Sequence, residues 1–237
     1  MRYPIAETFH SVQGEGYWTG TPMLFIRLAG CNVGEYAAID SHLGVHMPND
    51  FPLYQEKKHS VCTTYHGQQF LCDTDYHADG EAKTVTELVA LLGNTRHACI
   101  TGGEPFLHNL APLVCAIQEK LVKVHIETSG TKPLEFSRPV ANGLLWITMS
   151  PKKGMLDTVF THAGAGVDEW KLLVGPFTTA EEVGTFAGKV PHALVYLQPI
   201  NAVHSAWEDS LTNCLQLLSV FPQLRLSAQL HKYIHQR

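Results

Sequence analysis

Apolar runs alternate along this chain with segments of helical periodicity, and this alternation limits the possible folds more than any other feature. Strands are predicted at 22–30, 97–105, 123–130, 144–152, 169–175 and 193–199, with a last short strand and tail at 225–233. Helices are predicted at 84–94, 106–121, 178–188 and 205–221. Strands that alternate with helices form parallel sheets joined by right-handed crossovers. The chain is therefore expected to be an α/β protein.

Two of the predicted helices begin with the residues of a capping box. Thr84 is followed by Glu87 three residues later, and Ser205 is followed by Glu208. In this motif the hydroxyl and the carboxylate satisfy the first backbone N–H groups of the helix reciprocally. The pattern fixes where these two helices start.

Small, polar or glycine residues follow the predicted strands. The strand ends are marked by Cys31, Thr101–Pro105, Glu127–Gly130, Ser150–Lys152 and Gln198–Pro199. In parallel α/β folds, ligands bind at the carboxyl ends of the strands. We therefore expect the functional site along this edge of the sheet.

The composition bounds the class of protein. The 237 residues suit one domain spanning 1–237, and the net charge of −5 argues against a nucleic-acid partner. No apolar run is long enough for a membrane span, and the first residues lack an apolar signal segment. Six cysteines in such a chain indicate cytosolic thiols, so a cytoplasmic location is expected.

The segment 34–71 shows neither the strand nor the helix period. An irregular stretch of this length is uncommon inside a compact domain and is usually functional. It is interpreted as an insertion between the first strand and the glycine-rich strand.

The sequence Thr101-Gly-Gly-Glu-Pro105 follows a predicted strand. Gly102 and Gly103 let the backbone approach a ligand closely, and Glu104 could pair with an ammonium group. A tight strand–helix turn explains the same residues, so both interpretations stay open.

Three cysteines are candidate ligands of an iron–sulfur cluster. Cys31 ends a strand, Cys62 lies in the irregular insertion, and Cys72 lies beside polar residues. Three thiolates would leave one iron of a cubane open for another ligand. The remaining cysteines are expected to pack in the core: Cys99, Cys115 and Cys214. An alternative zinc site would combine Cys62 with His42, His46, His59 and His66, although this spacing matches no familiar zinc pattern.

Two features before and within the first predicted strand suit a small polar substrate. Gln13 and Glu15 lie in a glycine-containing loop, where Glu15 could accept hydrogen bonds from the donor edge of an amino-pyrimidinone. Arg27 interrupts an apolar strand and could bind a substrate carboxylate in a bidentate pair. An ordinary loop and an internal salt bridge are the alternatives.

Together these residues resemble the 7-carboxy-7-deazaguanine synthases. The resemblance rests on SVQGEG (11–16), FIRLAGC (25–31), CDTDY (72–76), TGGEP, ETSGT (127–131), SPK, LQP and QLHKY (229–233). GGEP marks only the wider radical S-adenosylmethionine (SAM) superfamily, whereas the first two motifs with CDT are specific to the family.

The resemblance implies a partial (β/α)6-type radical SAM barrel, usually homodimeric. It implies conversion of 6-carboxy-5,6,7,8-tetrahydropterin to 7-carboxy-7-deazaguanine with loss of ammonia, in queuosine and 7-deazapurine biosynthesis. The implied cofactors are a 4Fe–4S cluster, SAM used catalytically and Mg²⁺. The implied electron donor is a flavodoxin or ferredoxin.

The resemblance also assigns roles to individual residues. The implied cluster ligands are Cys31, Cys62 and Cys72, and Thr74 would contact Mg²⁺. The implied SAM contacts are Leu71, Cys72, Asp73, Gly103, Glu104, Ser129, Ser150, Pro151, Lys152, Gln198, Pro199, Ile200 and Asn201. The implied substrate contacts are Val12, Gln13, Gly14, Glu15, Arg27, Thr101, His231 and the C-terminal carboxylate of Arg237.

The cluster motif departs from the superfamily pattern C-x3-C-x2-C. Glu35 and Gln69 occupy the positions where that spacing expects cysteine, relative to Cys31 and Cys72. Thirty residues (32–61) separate Cys31 from Cys62, and nine (63–71) separate Cys62 from Cys72. Loop-closure entropy rises slowly with length, so a longer loop can still bring three sulfurs together.

Two other functions fit part of the sequence. One is a radical SAM activating enzyme that acts on a partner protein, and the other is a cluster-free binding protein on the same barrel. Arg27 and the SVQGEG loop favour a small-molecule substrate over a protein, whereas the missing C-x3-C motif is the only support for a cluster-free protein.

Overall fold

The computed structural model describes residues 1–36, 60–72, 81–134, 143–157, 160, 166–202 and 207–234. Several of the sequence predictions concern residues outside these ranges: His42, His46, His59, Asp73, Thr74, Ser205 and Arg237. His231 lies in the last described helix, but its side chain is not described.

The described chain contains twelve strands and five helices. The strands are β1 (Arg2–Val12), β2 (Pro22–Leu28), β3 (Glu35–Tyr36), β4 (Ser60–Thr63), β5 (Gln69–Leu71), β6 (Ala82–Thr84), β7 (His97–Gly102), β8 (Lys123–Thr128), β9 (Leu145–Met149), β10 (Glu169–Val174), β11 (Leu194–Pro199) and β12 (Arg225–Leu226). The helices are α1 (Val85–Ala90), α2 (Ala111–Gln118), α3 (Ala180–Lys189), α4 (Trp207–Val220) and α5 (Leu230–Tyr233). None of these helices combines the length and apolar character that crossing a membrane would require.

Most described strands belong to one open sheet. Its order is β12-β11-β10-β9-β8-β7-β2-β1-β6, and all neighbours from β2 to β12 pair in parallel. β1 pairs antiparallel with β2 and with β6 at the other edge. The parallel sheet with crossover helices confirms the predicted α/β fold and its partial barrel.

Alternate residues of the parallel strands face opposite sides of the sheet. On the side covered by helices, Leu24, Ile26 and Leu28 of β2 join one apolar core, while Trp170 and Leu172 of β10 join a second. The other side, here called the inner face, carries the intervening residues. Polar side chains occupy this inner face near the strand ends, so the period-2 alternation itself directs them toward the candidate site.

The capping box at α1 is confirmed. The Thr84 hydroxyl accepts the Glu87 N–H, and the Glu87 carboxylate accepts the Thr84 N–H. The same arrangement, which sequence inspection missed, joins Thr179 and Glu182 at α3. Each cap stabilises its helix by about 1 kcal/mol.

Some predicted boundaries are wrong. The helix expected over 106–121 begins only at Ala111, after a 3₁₀ turn at Pro105–Leu107, because Pro112 fits the first turn of a helix. The strand expected over 225–233 ends at Leu226, and α5 follows. The strand β1 was missed altogether, since its residues alternate poorly and it forms one edge of the parallel array.

Part of the segment predicted to be irregular is a small antiparallel sheet of β3, β4 and β5. It packs on the carboxyl ends of the main sheet: Thr64 bridges to Lys152, Phe70 bridges to Ala202, and the Leu71 N–H donates to the Asn201 carbonyl at 3.0 Å. The prediction of irregular structure over 34–71 is therefore wrong for β3, β4 and β5.

Aromatic and basic side chains fill the inner face at the opposite, amino ends of the strands. The Trp18 ring centroid lies 5.1 Å from that of His97 and 5.3 Å from that of His125. His97 Nδ1 and His125 Nε2 are 2.9 Å apart, and Lys123 Nζ lies 5.0 Å from the Trp18 ring. This cluster packs the end of the inner face that lies away from the predicted site.

Candidate functional site

A buried lysine organises the inner face at the carboxyl ends of the strands. Lys171 lies in the middle of β10, and its side chain is 4% exposed. Its ammonium group donates to Glu15 Oε2 and, at 3.2 Å, to Glu127 Oε1. Burial by itself lowers the pKa of Lys171, but the Glu127 and Glu15 carboxylates outweigh burial and raise that pKa above its usual value. The lysine therefore stays charged between two carboxylates.

Glu15 is held by residues from three distant parts of the chain. Besides Lys171, the amide groups of Gln198 and Gln229 donate to Glu15 Oε1 at 3.0 and 2.8 Å. Gln229 adopts a left-handed backbone conformation with φ of 52°. Gln229 thus keeps a strained backbone conformation and donates to the same Glu15 oxygen as Gln198. Both observations indicate that the segment after β12 holds the Glu15 carboxylate in place.

Glu127 at the end of β8 joins this network from the other side. Its carboxylate accepts the Gln13 amide and the Thr101 hydroxyl, each at 3.2 Å. Gln13 in turn accepts the Glu15 N–H at 3.1 Å. The predicted substrate-side residues Gln13, Glu15 and Thr101 thus share one hydrogen-bonded network.

Arg27 pairs with an acidic residue of the neighbouring strand. Its Nε donates to Glu7 Oε1 at 2.9 Å, and Glu7 lies directly opposite Arg27 in the β1–β2 register. This is the internal salt bridge that sequence analysis kept as the alternative. The pair orients the guanidinium on the inner face, where a substrate carboxylate could also meet it.

The Glu104 carboxylate, which follows β7, accepts hydrogen bonds from the turn after β8. The residue has no exposed surface, and its oxygens accept hydrogen bonds from the Thr128 hydroxyl at 2.7 Å and the Phe106 N–H at 3.0 Å. They also accept the Ser129 N–H at 2.9 Å and the Ser129 hydroxyl. The carboxylate thus positions Ser129, and its pairing with a ligand ammonium group stays a prediction.

The second glycine of the Thr101–Pro105 motif is required by another part of the protein. A Cβ atom on Gly103 would lie 1.8 Å from the Gly30 carbonyl oxygen and 3.1 Å from Cys31 Cβ. The Glu104 N–H donates to the same Gly30 oxygen at 3.0 Å. Gly103 therefore lets the chain at Cys31 pack directly against the end of β7.

The small sheet brings the other two predicted cluster cysteines to the same edge. Cys62 lies in β4 and is 6% exposed, whereas Cys72 directly follows β5 and is half-buried. Lys152, which follows β9, lies close enough to both sulfurs to interact with them electrostatically, and Cys31 likewise acts on Cys62. Lys152 thus lies near Cys62 and Cys72, and Cys31 lies near Cys62.

These neighbours act on the Cys62 thiol in opposite directions. Burial raises the pKa of the Cys62 thiol and the Cys31 sulfur adds to this, while the Lys152 ammonium lowers the pKa. Among the described residues, no group of three His, Cys, Asp or Glu side chains converges as ligands of a metal ion. A single ion needs its ligands around one point, whereas the three thiolates of a cubane each bind a different iron.

The predicted SAM contacts follow the strands that adjoin the small sheet. Lys152 Nζ donates to the Ser150 hydroxyl at 2.7 Å, and the Ile200 N–H donates to the Val174 carbonyl at 3.0 Å. Pro151 is buried, and Pro199 ends β11. Leu71 and Asn201 meet through the backbone hydrogen bond described above. The contacts after β9 and β11 therefore adjoin the small sheet, while Gly103, Glu104 and Ser129 lie in the turns after β7 and β8, and Asp73 is not described.

Two further substrate-side positions, Val12 and Gly14, lie in the SVQGEG motif. Val12 ends β1 opposite Pro22, and the Gly14 carbonyl accepts the Leu230 N–H at 2.7 Å. That bond ties the loop to the start of α5, which contains His231.

Sequence analysis missed Lys171 and Gln229, and it treated Glu127 only as part of a strand end. A lysine within the apolar strand 169–175 was the available indication, since a buried charge requires partners. For the cysteines outside the candidate cluster site, core packing is confirmed for Cys99 and Cys214, which are fully buried. The prediction is wrong for Cys115, which is exposed because it lies on the outer side of α2.

Comparison with known proteins gives a consistent result, although no family model matches the chain. A 7-carboxy-7-deazaguanine synthase from Synechocystis sp. is 33% identical over 239 residues, which cover 99% of this chain and 93% of the relative. The Escherichia coli protein of the same name is 31% identical over 245 residues, covering 99% of each. The crystal structure of QueE from Escherichia coli matches with a TM-score of 0.64 and 28% identity, covering 98% of this chain and 95% of that one.

Proposed function

This chain belongs to the 7-carboxy-7-deazaguanine synthase family, and on that premise we propose that it is a radical SAM enzyme of the carbon–nitrogen lyase class. It acts on a small molecule in the queuosine and 7-deazapurine pathway. The proposed reaction converts 6-carboxy-5,6,7,8-tetrahydropterin to 7-carboxy-7-deazaguanine with loss of ammonia, with SAM used catalytically. The observation that carries the proposal is the proximity of Cys31 to Cys62, and of Lys152 to both Cys62 and Cys72, at the strand ends.

The donor set at this edge fits an iron–sulfur cluster. Three cysteines from separate segments are present, and the Lys152 ammonium lies near Cys62 and Cys72, where it offsets part of the rise that burial causes in the pKa of the Cys62 thiol. Cys31, Cys62 and Cys72 would hold the cluster. When bound, a 4Fe–4S cluster would supply the electron that reduces the SAM sulfonium and so starts hydrogen abstraction from the substrate.

Residues of the neighbouring strand ends would bind SAM. Gly103 presents its backbone beside Cys31, and Glu104 fixes Ser129 in the turn after β8. The backbone from Gln198 to Asn201 runs beside β5, which places polar groups next to Cys72. These elements shape one binding surface along the edge of the sheet.

The inner face would bind the pterin. Glu15 presents a fixed carboxylate to the donor edge of the pyrimidinone ring, and Arg27, oriented by Glu7, offers a guanidinium to the substrate carboxylate. Gln13 and Thr101 both donate to the Glu127 carboxylate on the same face. The substrate would thus be recognised at both ends.

Further parts of the proposal concern groups that act with this site. Thr74 would contact Mg²⁺, a hard cation that prefers oxygen ligands, and Arg237 would supply its terminal carboxylate to the substrate. A flavodoxin or ferredoxin would deliver the electron, and the enzyme would act as a homodimer in one domain, 1–237. An activating enzyme for a protein partner is not favoured, because the full-length relatives are named as synthases.

Anaerobic reconstitution with iron and sulfide tests the proposal. Wild-type protein and the exposed-site control Cys115→Ala should each bind about four iron atoms per chain and show cubane absorption. Cys62→Ala should lose the cluster and with it the cleavage of SAM. The wild-type and control proteins should also convert 6-carboxytetrahydropterin in the presence of SAM, Mg²⁺ and a reductant.

The outcomes separate the parts of the proposal. An intact and active cluster in Cys62→Ala would remove Cys62 from the ligand set. A wild-type protein that stays colourless and leaves SAM intact would overturn the radical mechanism. A protein that cleaves SAM but leaves the pterin unchanged would refute the substrate assignment.

A further inference from the structure

Lys171 is a buried charge that packing alone does not require. Its neighbours Trp170 and Leu172 fill the helix-side core, while Lys171 projects from the inner face with 4% of its side chain exposed. An apolar residue of similar length would pack there without the cost of desolvating an ammonium group. The charge therefore serves the groups that it contacts.

The contacts of Lys171 join two acids from distant elements. Glu15 follows β1 and Glu127 ends β8, and both carboxylates bond to the same ammonium group. Gln13 closes the ring, since its amide donates to Glu127 and its side-chain oxygen accepts the Glu15 N–H. Gln13, Glu15, Glu127 and Lys171 are called here the lysine-centred network.

We propose that Lys171 is a positioning residue for substrate recognition, whose ammonium group holds Glu15 and Glu127 in place so that the Glu15 carboxylate can accept hydrogen bonds from the pterin ring. This inference rests on the proposed function. Lys171 acts through the two carboxylates and not on the reacting atoms. A carboxylate only accepts hydrogen bonds, whereas a protonated carboxyl group also donates one. Recognition of a donor edge consequently requires that Glu15 stay ionised.

Removal of the Lys171 ammonium group would make the ionised form of Glu15 less favourable. Two carboxylates that share one site repel each other, so one of them binds a proton more readily. Other charged or titratable groups also surround the network: Glu169 on β10, Arg27 on β2, Cys99 on β7 and Lys152 after β9. Glu169 is itself buried and adds to the repulsion, whereas the Lys171 ammonium group bonds directly to both carboxylates.

Binding of 6-carboxypterin, a fluorescent analogue, to the reconstituted, SAM-loaded protein measures this effect. The variants are Lys171→Met and Lys171→Arg, with Lys120→Met, at an exposed turn residue just after α2, as the control. The readout is the ratio of variant to wild-type Kd at pH 6.0 and 7.5, in which ionisation of the ligand cancels. Circular dichroism checks that each variant is folded.

Lys171→Met should weaken binding about 30-fold at pH 6.0 and clearly less at pH 7.5, because rising pH restores the second carboxylate. Lys171→Arg keeps the charge, so its Kd should lie close to that of the wild-type protein at both pH values. This variant also tests the inference if Lys171→Met does not fold. A Lys171→Met ratio near one, a loss that is equal at both pH values, or a pH-dependent loss in Lys171→Arg would overturn the inference. Failure of wild-type protein to bind 6-carboxypterin would refute the proposed substrate instead.

Discussion

Replacement of Glu104 by glutamine changes one oxygen to an NH₂ group and leaves the size of the side chain almost unchanged. In the native protein each carboxylate oxygen accepts a backbone N–H, from Phe106 at 3.0 Å on Oε1 and from Ser129 at 2.9 Å on Oε2. The hydroxyl groups of Thr128 and Ser129 can rotate to accept a hydrogen bond. The two N–H groups can only donate, so either orientation of the glutamine amide places NH₂ against one of them.

The cost follows from this geometry. One hydrogen bond to a charged acceptor is lost, and one buried N–H is left facing a donor, because Glu104 has no exposed surface. Together these effects should lower the free energy of unfolding by about 3 kcal/mol. For a chain of this size, that corresponds to a fall in Tm of about 6–12 °C.

Thermal unfolding followed by circular dichroism measures the change in Tm. The matched control is Glu119→Gln at the exposed end of α2, which should shift stability by no more than about 0.5 kcal/mol. A fall of less than about 2 °C in Glu104→Gln would show that the carboxylate does not hold the Ser129 turn as described.

Two further substitutions test other parts of the fold. Burial, together with His97 and Lys123, lowers the pKa of His125 from 6.5 to about 3, so between these pH values only the unfolded chain is protonated at this ring. Acidification from pH 7 to 5 should therefore lower the free energy of unfolding by about 2 kcal/mol through this ring. In His125→Gln this acid-induced fall should be smaller by that amount, as measured by urea unfolding at both pH values. An equal acid effect in both proteins would contradict this reasoning. Gly103→Ala should destabilise the protein by about 2–3 kcal/mol because the new Cβ meets the Gly30 carbonyl, whereas Gly188→Ala in α3, where no atom lies within 4 Å, should be neutral or stabilising. Equal Tm values for the two alanine variants would show that the chain at Cys31 can move away.

Much of the site could be predicted because strand ends are local features. Glycine and hydroxyl residues after each apolar run located the functional edge, and the parallel sheet then brought those ends together. Gln13, Glu15 and Thr101, predicted separately, share the network around Lys171. Lys171 itself could not be assigned a role from sequence, since its partners lie 44 and 156 positions away in the chain.

Antiparallel elements were less predictable than parallel ones. β1 and the small sheet of β3, β4 and β5 lack a clear alternation of polar and apolar residues, so their pairing gives no periodic pattern. The position of Cys62 follows from this pairing, because β4 and β5 place it beside the end of β9. Arg27 likewise could face either a ligand or a protein carboxylate until the β1–β2 register set Glu7 opposite it.

The sequence by itself determined the α/β class, the start of α1 and the edge of the sheet that carries the polar residues, because helix caps and side-chain periodicity act over only a few neighbouring positions. The tertiary structure alone decided which distant groups meet: Glu15 with Lys171, Glu104 with Ser129, and Gly103 with the chain at Cys31. These contacts depend on strand order and register, which are set by the burial of the whole core and leave no local pattern in the chain.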